Sequence, residues 1–319
     1  MPRVTVCIPT YDRTQWLAEA IASALGQTFE DLVVEIHDDA TPSDAVADVV
    51  AQFDDPRLRL IRHESNAGIV GNFTRSLLGA TTDYVLQLGD DDIAAPDLVA
   101  RTVAALDTYP TAGMAHARFS LIDDAGGVLV ADEHWLGAAP APALEAGSVF
   151  LEKSMAYGCR VCSSTALIRR SAVPEGAFLQ QDHPPFDFAF WLRMARSWDI
   201  AFVDAVLCAY RVHARSFTSG ISNVTEVGYS HDERSLHEVL AVKLRYGSNP
   251  RLARKAFRRD LVYRVRERTL PERPFGETAR ALVDVARRQP SVWLEPTAWA
   301  LLAGSAVGPR TVDRLKGRA

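Results

Sequence analysis

The most informative segment of the sequence is Tyr-Val-Leu-Gln-Leu-Gly-Asp-Asp-Asp at residues 84–92. It begins as an apolar run typical of a buried strand and ends in three consecutive aspartates. Adjacent carboxylates repel one another unless water or a cation screens them, so a strand that ends in them indicates a divalent metal site. The residues alone also allow a solvated turn with a helix N-cap at Asp92.

Three more strands precede this stretch, and each is followed by apolar residues at helical spacing. They are predicted at residues 4–9, 32–36 and 58–61, with helices after each. Strands that alternate with helices indicate an α/β fold with a mostly parallel sheet. Ligands of such sheets bind outside the carboxyl ends of the strands, where this chain places its polar clusters.

Those clusters resemble the motifs of the family 2 glycosyltransferases, whose nucleotide-sugar-binding fold is called GT-A. Residues 9–13 are similar to the family's Pro-Thr-Tyr-Asn-Arg element, and residues 38–44 are similar to its Asp-Asp-Gly-Ser-Thr-Asp element. The aspartate triplet resembles the metal motif, although Gly89 stands where a further Asp is common. The resemblance covers roughly the first two thirds of the chain.

The resemblance implies a nucleoside diphosphate sugar donor, linked to UDP, dTDP or GDP, and a bound Mn²⁺ or Mg²⁺. Such a hard cation takes oxygen ligands and neutralises the departing diphosphate. Asp91 is the first choice for direct ligand, and Asp39 is expected to accept a hydrogen bond from the base. The implied donor-binding residues are Pro9, Thr10, Tyr11, Arg13, Asp39, Asn66, Asn72 and Asp90, and the implied metal ligands are Asp91, Asp92 and His213.

An inverting transfer needs one general base to deprotonate the acceptor hydroxyl. Residues 186–193, Phe-Asp-Phe-Ala-Phe-Trp-Leu-Arg, resemble the family's Glu-Asp-Tyr-Asp-Leu-Trp-Leu-Arg element, which places Asp187 on the catalytic Asp. Phe186 replaces an acid that is usual there, and Asp182 or His183 would be the substitutes. A helix N-cap is the alternative role for Asp187.

His213 lies in the segment Tyr-Arg-Val-His at residues 210–213, which resembles the family's Tyr-Arg-x-His element. The resemblance implies that the chain returns here to the donor site. A neutral imidazole would complete the metal shell or contact the diphosphate. A histidine bonded within its own loop is the alternative.

Composition limits the function classes. The chain has 319 residues, 35 basic and 40 acidic, and a net charge of −5, which argues against a general nucleic-acid binder. No Gly-x-Gly-x-x-Gly or Walker motif follows a strand, which excludes dinucleotide oxidoreductases and P-loop enzymes. The four cysteines are expected to be free thiols in a reducing cytoplasm, with a zinc or redox pair at Cys159 and Cys162 as the alternative.

We predict a catalytic domain at residues 1–215 and a helical region at residues 216–319. Residues 1–125 would form the nucleotide-binding half and residues 126–215 the acceptor half. The basic amphipathic helix predicted over residues 251–273 is typical of a solvated surface, and contact with an anionic membrane, an acidic acceptor or a partner subunit is the alternative. No signal peptide and no membrane span are recognised, so the expected location is the cytoplasm, with a peripheral position at the inner face of the membrane as the alternative.

Three functions remain open from the sequence. The first is an inverting, metal-dependent glycosyltransferase acting on a hydroxyl of a glycan, a lipid-linked sugar or a small molecule. The second is a sugar nucleotidyltransferase, although residues 9–13 lack the glycines that such an enzyme carries after its first strand. The third is a non-catalytic module that binds nucleotide sugars with the same fold.

Overall fold

The computed structural model describes residues 2–133, 142–182, 185–214, 222–225, 228–231, 233–269, 275–296 and 298–299. In the first half, strands and helices alternate as the apolar spacing predicts. The elements are β1 (Val4–Thr10), α1 (Leu17–Leu25), β2 (Leu32–Asp38), α2 (Ala45–Val50), β3 (Leu58–Arg62), α3 (Gly68–Gly79) and β4 (Tyr84–Gln87).

The second half builds the other side of the same sheet. Its elements are β5 (Ile93–Ala94), α4 (Leu98–Thr108), β6 (Ala112–Ile122), β7 (Val128–Glu133), β8 (Leu144–Glu145), α5 (Gly147–Tyr157), β9 (Leu167–Arg169), α6 (Phe186–Met194) and β10 (Asp199–Arg211). A 3-10 turn at Ser163–Thr165 precedes β9.

The main sheet has the strand order β3-β2-β1-β4-β9-β6-β10-β5, with β7 paired to β6 and β8 to β10. Strands β1, β2, β3 and β4 pair in parallel, and β6 pairs in parallel with β10. Because β4 and β6 are each antiparallel to β9, these two groups run in the same direction. The structure confirms the predicted α/β class with a mostly parallel sheet.

Helices cover both faces of the sheet, and the alternation of β1 shows how. Val6 and Ile8 pack in one cluster with residues of α1 and α4, such as Ile21 and Leu98. Cys7, between them, packs on the opposite face in a cluster with residues of α3, α5 and α6. Burial on both faces explains why β1 is apolar throughout rather than alternating.

The segment after residue 198 corrects one sequence expectation. Residues 200–204 and 206–210 are predicted as a pair of strands, whereas the structure has the single strand β10. Its register against β6 shifts between Val203 and Val206 and again between Val206 and Ala209. Such a bulge interrupts the alternation of residues between the two faces of the strand, so the sequence pattern predicts two strands where the structure has one.

The C-terminal region contains a hairpin that the sequence does not predict. Strands β11 (Ser222–Thr225) and β12 (Gly228–His231) pair antiparallel to each other. The predicted helices follow as α7 (Glu233–Tyr246), α8 (Pro250–Thr269) and α9 (Phe275–Arg288), and a 3-10 turn covers Pro290–Leu294. Among the helices that the structure describes, none combines the length and apolar character needed to cross a bilayer.

Candidate functional site

The carboxyl ends of β1, β2 and β4 bring the first motif and the aspartates together. Thr10, the last residue of β1, donates its hydroxyl to Asp90 Oδ2 at 2.7 Å. The Arg13 guanidinium forms an ion pair with Asp90 and lies 2.9 Å from Asp91 Oδ2. Thr10 and Arg13 of the first motif therefore contact the aspartate triplet directly.

Asp91 is the most accessible carboxylate of the triplet. Its side chain is 12% exposed, whereas Asp90 and Asp92 are buried. His213 Nε2 lies 2.9 Å from the same oxygen, Asp91 Oδ2, and the Trp16 ring packs against the imidazole with the ring centroids 4.1 Å apart. The chain after β10 thus returns to the triplet, as the resemblance implies.

Asp92 is held from two sides. The Ser164 hydroxyl donates to Asp92 Oδ2, and the Arg211 backbone N–H donates to Asp92 Oδ1 at 2.9 Å. The strand β5 begins at the next residue, and α4 begins only at Leu98, so Asp92 is not a helix N-cap. The alternative reading of the triplet as a capped turn is therefore wrong.

The charges at this edge fit a cation. Burial and the neighbouring Asp91 raise the pKa of Asp92 to about 8, and burial raises the pKa of Asp90 although Arg13 opposes that shift. Carboxyl pKa values rise when negative charge is buried without enough positive charge nearby. An oxygen-rich site with an excess of negative charge suits a hard cation such as Mg²⁺ or Mn²⁺, and Asp91, as the most accessible of the three carboxylates, is the one that an incoming ion would reach first.

Gly89 stands where the family commonly has a further Asp, and the structure leaves little room for a side chain at this position. A Cβ at position 89 would lie 2.8 Å from Asp91 Oδ1 and 2.8 Å from Asp92 Oδ2. Asp92 has no freedom to yield, because Ser164 and the Arg211 amide fix it. A side chain at position 89 would therefore push on the carboxylates themselves.

We predict that Gly89→Ala weakens Mn²⁺ binding by about tenfold, which corresponds to ~1.4 kcal/mol. The reason is displacement of the Asp91 and Asp92 carboxylates rather than unfolding. Calorimetric titration with Mn²⁺, alongside a denaturant curve, measures both quantities. Unchanged Mn²⁺ affinity would show that neither carboxylate holds the ion. Gly79→Ala, where a Cβ meets nothing within 4 Å, is the matched control.

The end of β2 supplies the other predicted donor-binding residues. Asp39 is buried, and its two oxygens accept the Ala67 N–H at 2.9 and 3.1 Å. Arg75 Nη1 lies 3.5 Å from Asp39 Oδ1. Asn66 is exposed and accepts the Gly68 N–H through its side chain. This loop joins β3 to α3 directly beside the end of β2.

Asn72 ties α3 to the same edge. Its Nδ2 donates to the His37 carbonyl at 2.9 Å and to the Thr10 carbonyl at 3.3 Å. Its buried Oδ1 has no hydrogen-bond partner among the described residues. Of the remaining predicted residues, Pro9 is buried within β1 and Tyr11 is 47% exposed beyond its end.

Ala40 follows Asp39 where the family motif has glycine, and its backbone is left-handed with a φ of 62°. This conformation costs a non-glycine residue about 1–2 kcal/mol. We predict that Ala40→Gly raises the free energy of unfolding by about 0.5–1 kcal/mol after the entropic cost of glycine. Chemical denaturation measures the change. Ala47→Gly, within α2, should have the opposite sign, and a loss of stability in both variants would contradict the prediction.

Asp187 lies in the first turn of α6, where Pro185 holds the N-cap position, so Asp187 does not cap this helix. Its Oδ1 accepts the Phe188 N–H at 2.7 Å, and Ser163 donates to its Oδ2 at 3.3 Å. Burial raises the pKa of Asp187, and these hydrogen bonds only partly offset that effect. Ser163 and Ser164 are neighbours, so one 3-10 turn contacts both Asp187 and Asp92.

The two substitutes considered for Asp187 have different positions. Asp182 is buried and accepts hydrogen bonds from Arg245 Nη1 at 2.5 Å and from the Tyr246 hydroxyl at 2.8 Å. It therefore anchors α7 to the segment that precedes α6. His183 lies outside the described residues.

Several residues of the site make contacts that the sequence does not reveal, and among them is Arg211, which the family resemblance offers, with Arg215, as a partner for phosphate oxygens. Arg211 donates its Nε to the Asp91 carbonyl at 2.9 Å and pairs with Glu19 of α1 at 2.8 Å. The Trp16 indole donates to the Asp124 carbonyl at 3.0 Å. Ser163 and Ser164 read as part of a small-residue strand. The run Ser-Ser-Thr is the one local signal for the polar turn found there.

The sequence profile of a family described as "Glycosyl transferase family 2" matches residues 5–173, just over half of the chain. The chain belongs to this family. A family relative from Bacillus subtilis (strain 168), the putative glycosyltransferase EpsE, is 28% identical over 174 residues, which cover 54% of this chain and 58% of the relative. Residues 5–173, the part that the family profile matches, include the aspartate triplet and both serines of the 3-10 turn.

Solved structures agree with the fold. S. aureus TarS 1-349 in complex with UDP-GlcNAc has a TM-score of 0.59 at 14% identity, covering 90% of this chain and 92% of that one. Mannosyltransferase PcManGT from Pyrobaculum calidifontis, in complex with GDP-Man and Mn²⁺, has a TM-score of 0.57 at 20% identity, covering 96% and 80%. At these identities the likeness shows the fold, and it confirms the predicted GT-A type.

Proposed function

We propose that this chain is an inverting glycosyltransferase that moves a sugar from a nucleoside diphosphate sugar to an acceptor hydroxyl with a divalent cation. The observation that carries the proposal is the connection through Ser163 and Ser164. One turn holds Asp92 of the acidic triplet and Asp187 in the first turn of α6. A donor bound at the triplet would therefore present its anomeric carbon toward a carboxylate suited to act as base.

On the donor side, Asp91 would hold Mn²⁺ or Mg²⁺, with Asp92 and His213 as further ligands. The ion, when bound, neutralises charge on the leaving diphosphate. Thr10 and Arg13 keep Asp90 in place, and Arg13 is close enough to the metal carboxylates to contact phosphate oxygens. UDP, dTDP and GDP sugars are the proposed donors, supported by the UDP-GlcNAc and GDP-Man of the two structural neighbours.

On the acceptor side, Asp187 would take the proton of the attacking hydroxyl. Its raised pKa makes it a stronger base than an exposed aspartate, and Ser163 with the Phe188 amide fixes its orientation. The acceptor would be a glycan, a lipid-linked sugar or a small molecule. The exposed Arg251, Arg254 and Lys255 of α8 support contact with an anionic membrane surface or a second copy of the chain.

The proposal is tested by incubating the protein with UDP, dTDP and GDP sugars and Mn²⁺. Release of nucleoside diphosphate, by slow donor hydrolysis or by transfer, is the expected result. Diphosphate-dependent release of nucleoside triphosphate would indicate a sugar nucleotidyltransferase. Binding of a nucleotide sugar without any turnover would indicate a non-catalytic module.

Donor binding gives a separate prediction for Asp39. We expect Asp39→Ala to weaken nucleoside diphosphate binding by about 1–3 kcal/mol, the typical cost of leaving a buried polar partner unpaired. Calorimetry measures the affinity. Because Asp39 also accepts the Ala67 N–H, Asp39→Asn serves as the comparison that keeps an acceptor for that amide. Unchanged affinity in both variants would move the base site elsewhere.

A further inference from the structure

A second group of ligating side chains lies upstream of the strand ends, between β1 and β2. Cys7 of β1 is the direct partner of Glu35 in β2, and Pro9 is the partner of His37. Paired residues and residues two apart along a strand point to one face, so Cys7, Glu35 and His37 share a face. This face is the one covered by α3, where Cys7 Sγ lies 3.5 Å from the Ser76 carbonyl.

The three side chains converge. One ligand atom from each, the Cys7 sulfur, a Glu35 carboxylate oxygen and a His37 ring nitrogen, lies within 4.8 Å of the other two. Glu35 Oε2 is 3.5 Å from His37 Nε2. Cys7 is fully buried and the His37 side chain is 2% exposed, whereas the Glu35 side chain is 13% exposed, so a solvent molecule would supply the fourth ligand of a bound ion from the side of Glu35.

The main evidence for a bound ion is the state of His37 Nε2. It is buried and has no hydrogen-bond partner in the described part of the chain. The other ring nitrogen, Nδ1, lies 3.5 Å from His63 Nε2. With its proton on Nδ1, the His37 ring can donate a hydrogen bond to His63 Nε2. That arrangement leaves a lone pair on His37 Nε2 aimed at the cluster, as in metal-ligating histidines.

We propose that Cys7, Glu35 and His37 bind a Zn²⁺ ion. A sulfur, an imidazole nitrogen and a carboxylate oxygen form a set that zinc accepts and that Mg²⁺ and Mn²⁺ disfavour. Binding would release the Cys7 thiol proton to solvent, because the thiolate is the ligand. The site is distinct in chemistry from the all-oxygen triplet, and it does not depend on the proposed transfer activity.

The ion would join β1 to β2 a few residues before their functional ends. Thr10 follows Cys7 by three positions, and Asp38 and Asp39 follow His37 directly. A ligand that binds only the folded state stabilises it in proportion to its concentration and affinity. Zinc is therefore a structural ion in this proposal, holding the strands that carry the donor-binding residues.

The test uses the full-length protein, dialysed with zinc and then analysed for bound metal. We expect about one zinc per chain that survives excess Mn²⁺. Cys7→Ser and His37→Gln should each lower the zinc affinity by about 100-fold or more, since each removes a direct ligand. Circular dichroism of both variants separates loss of a ligand from loss of the fold.

Two controls separate this site from others. Cys208→Ser removes an equally buried thiol near the triplet and should keep the zinc. Asp91→Ala removes any zinc held by the triplet and should also keep the ion at Cys7. Substitution with Co²⁺ should give a thiolate-to-cobalt absorption that disappears only with Cys7. No retained zinc, or unchanged binding in Cys7→Ser, would overturn the proposal and leave Glu35 as an ordinary ion-pair partner of His37 and Arg59.

Discussion

Replacing Asp91 with alanine is expected to lower sugar transfer by about 10³-fold or more. Asp91 is the accessible carboxylate of the triplet, and Arg13 and His213 both approach its Oδ2. Removing it takes away the proposed direct ligand at the point where leaving-group charge is neutralised, an effect worth several kcal/mol. Each 1.36 kcal/mol corresponds to about a tenfold change in rate. Excess chelator should reduce the wild-type rate to the same extent.

The measurement is the initial rate of nucleoside diphosphate release at saturating Mn²⁺, with and without chelator. Asp107→Ala is the matched control, because Asp107, like Asp91, contacts an arginine and an aromatic side chain: it accepts hydrogen bonds from the Arg3 guanidinium and the Tyr84 hydroxyl. Arg3 precedes the first residue of β1, at the opposite edge of the sheet from the site. Full activity of Asp91→Ala, or of the wild type in chelator, would exclude the metal assignment.

The sequence predicts the elements of residues 1–125 well because burial controls them. Strands β1, β2 and β4 are largely buried on both faces, so their positions follow from apolar runs, while β3, at one end of the sheet, is more exposed. In a parallel sheet all carboxyl ends lie at one edge, which brings Thr10, Asp39 and Asp90 together before any distance is known. The fold and the location of the site therefore follow from spacing, while residue roles rest on the family resemblance.

The structure of residues 126–215 is less predictable because their contacts join residues that lie far apart in the chain. Arg211 bonds to Glu19 and to the backbone at Asp91, and no local pattern encodes such pairs. The bulge in β10 breaks the period-two alternation that identifies a strand. The link from Ser164 to Asp92 likewise depends on β9 lying between β4 and β6, which the order of strands along the chain does not reveal.

The pKa values of the triplet also depend on contacts that only the folded chain makes. Each aspartate of the triplet is unremarkable in a list of residues, yet the fold buries Asp90 and Asp92 beside Asp91 and raises the pKa of both buried groups. The family resemblance favours Asp91 as the direct ligand, and the structure adds that Asp91 is the most exposed carboxylate of the three. Asp91 is therefore the most informative of the three positions for mutation.

Asp187→Asn is expected to lower kcat by about 10²-fold or more, the scale of general acid–base catalysis, while donor and Mn²⁺ affinity stay nearly unchanged. Asparagine keeps the size of the side chain and one oxygen, which can still accept the Phe188 N–H or the Ser163 hydroxyl. The variant therefore removes the proton acceptor with little change in packing. Rapid-quench rates and calorimetric donor affinities measure the two quantities separately.

The dependence of kcat/KM on pH distinguishes a general base from a residue that has only a structural role. Asp187 acts as a base only when ionised, so the rate should rise with pH as its proton leaves. Because burial raises the pKa of Asp187, this acidic limb should lie above the range of an exposed aspartate, and it should vanish in Asp187→Asn. The limb is read from kcat/KM in the free enzyme.

Asp199→Asn is the matched control for this variant. Asp199, like Asp187, accepts one backbone amide, that of Gly147, and one hydroxyl, that of Thr111. It stands at the start of β10, at the edge of the sheet opposite the site, and should change stability without changing the acidic limb. A near-normal kcat in Asp187→Asn, or loss of donor binding, would remove Asp187 as the base. Asp182 would be a poor replacement, since Arg245 and Tyr246 already occupy its buried oxygens.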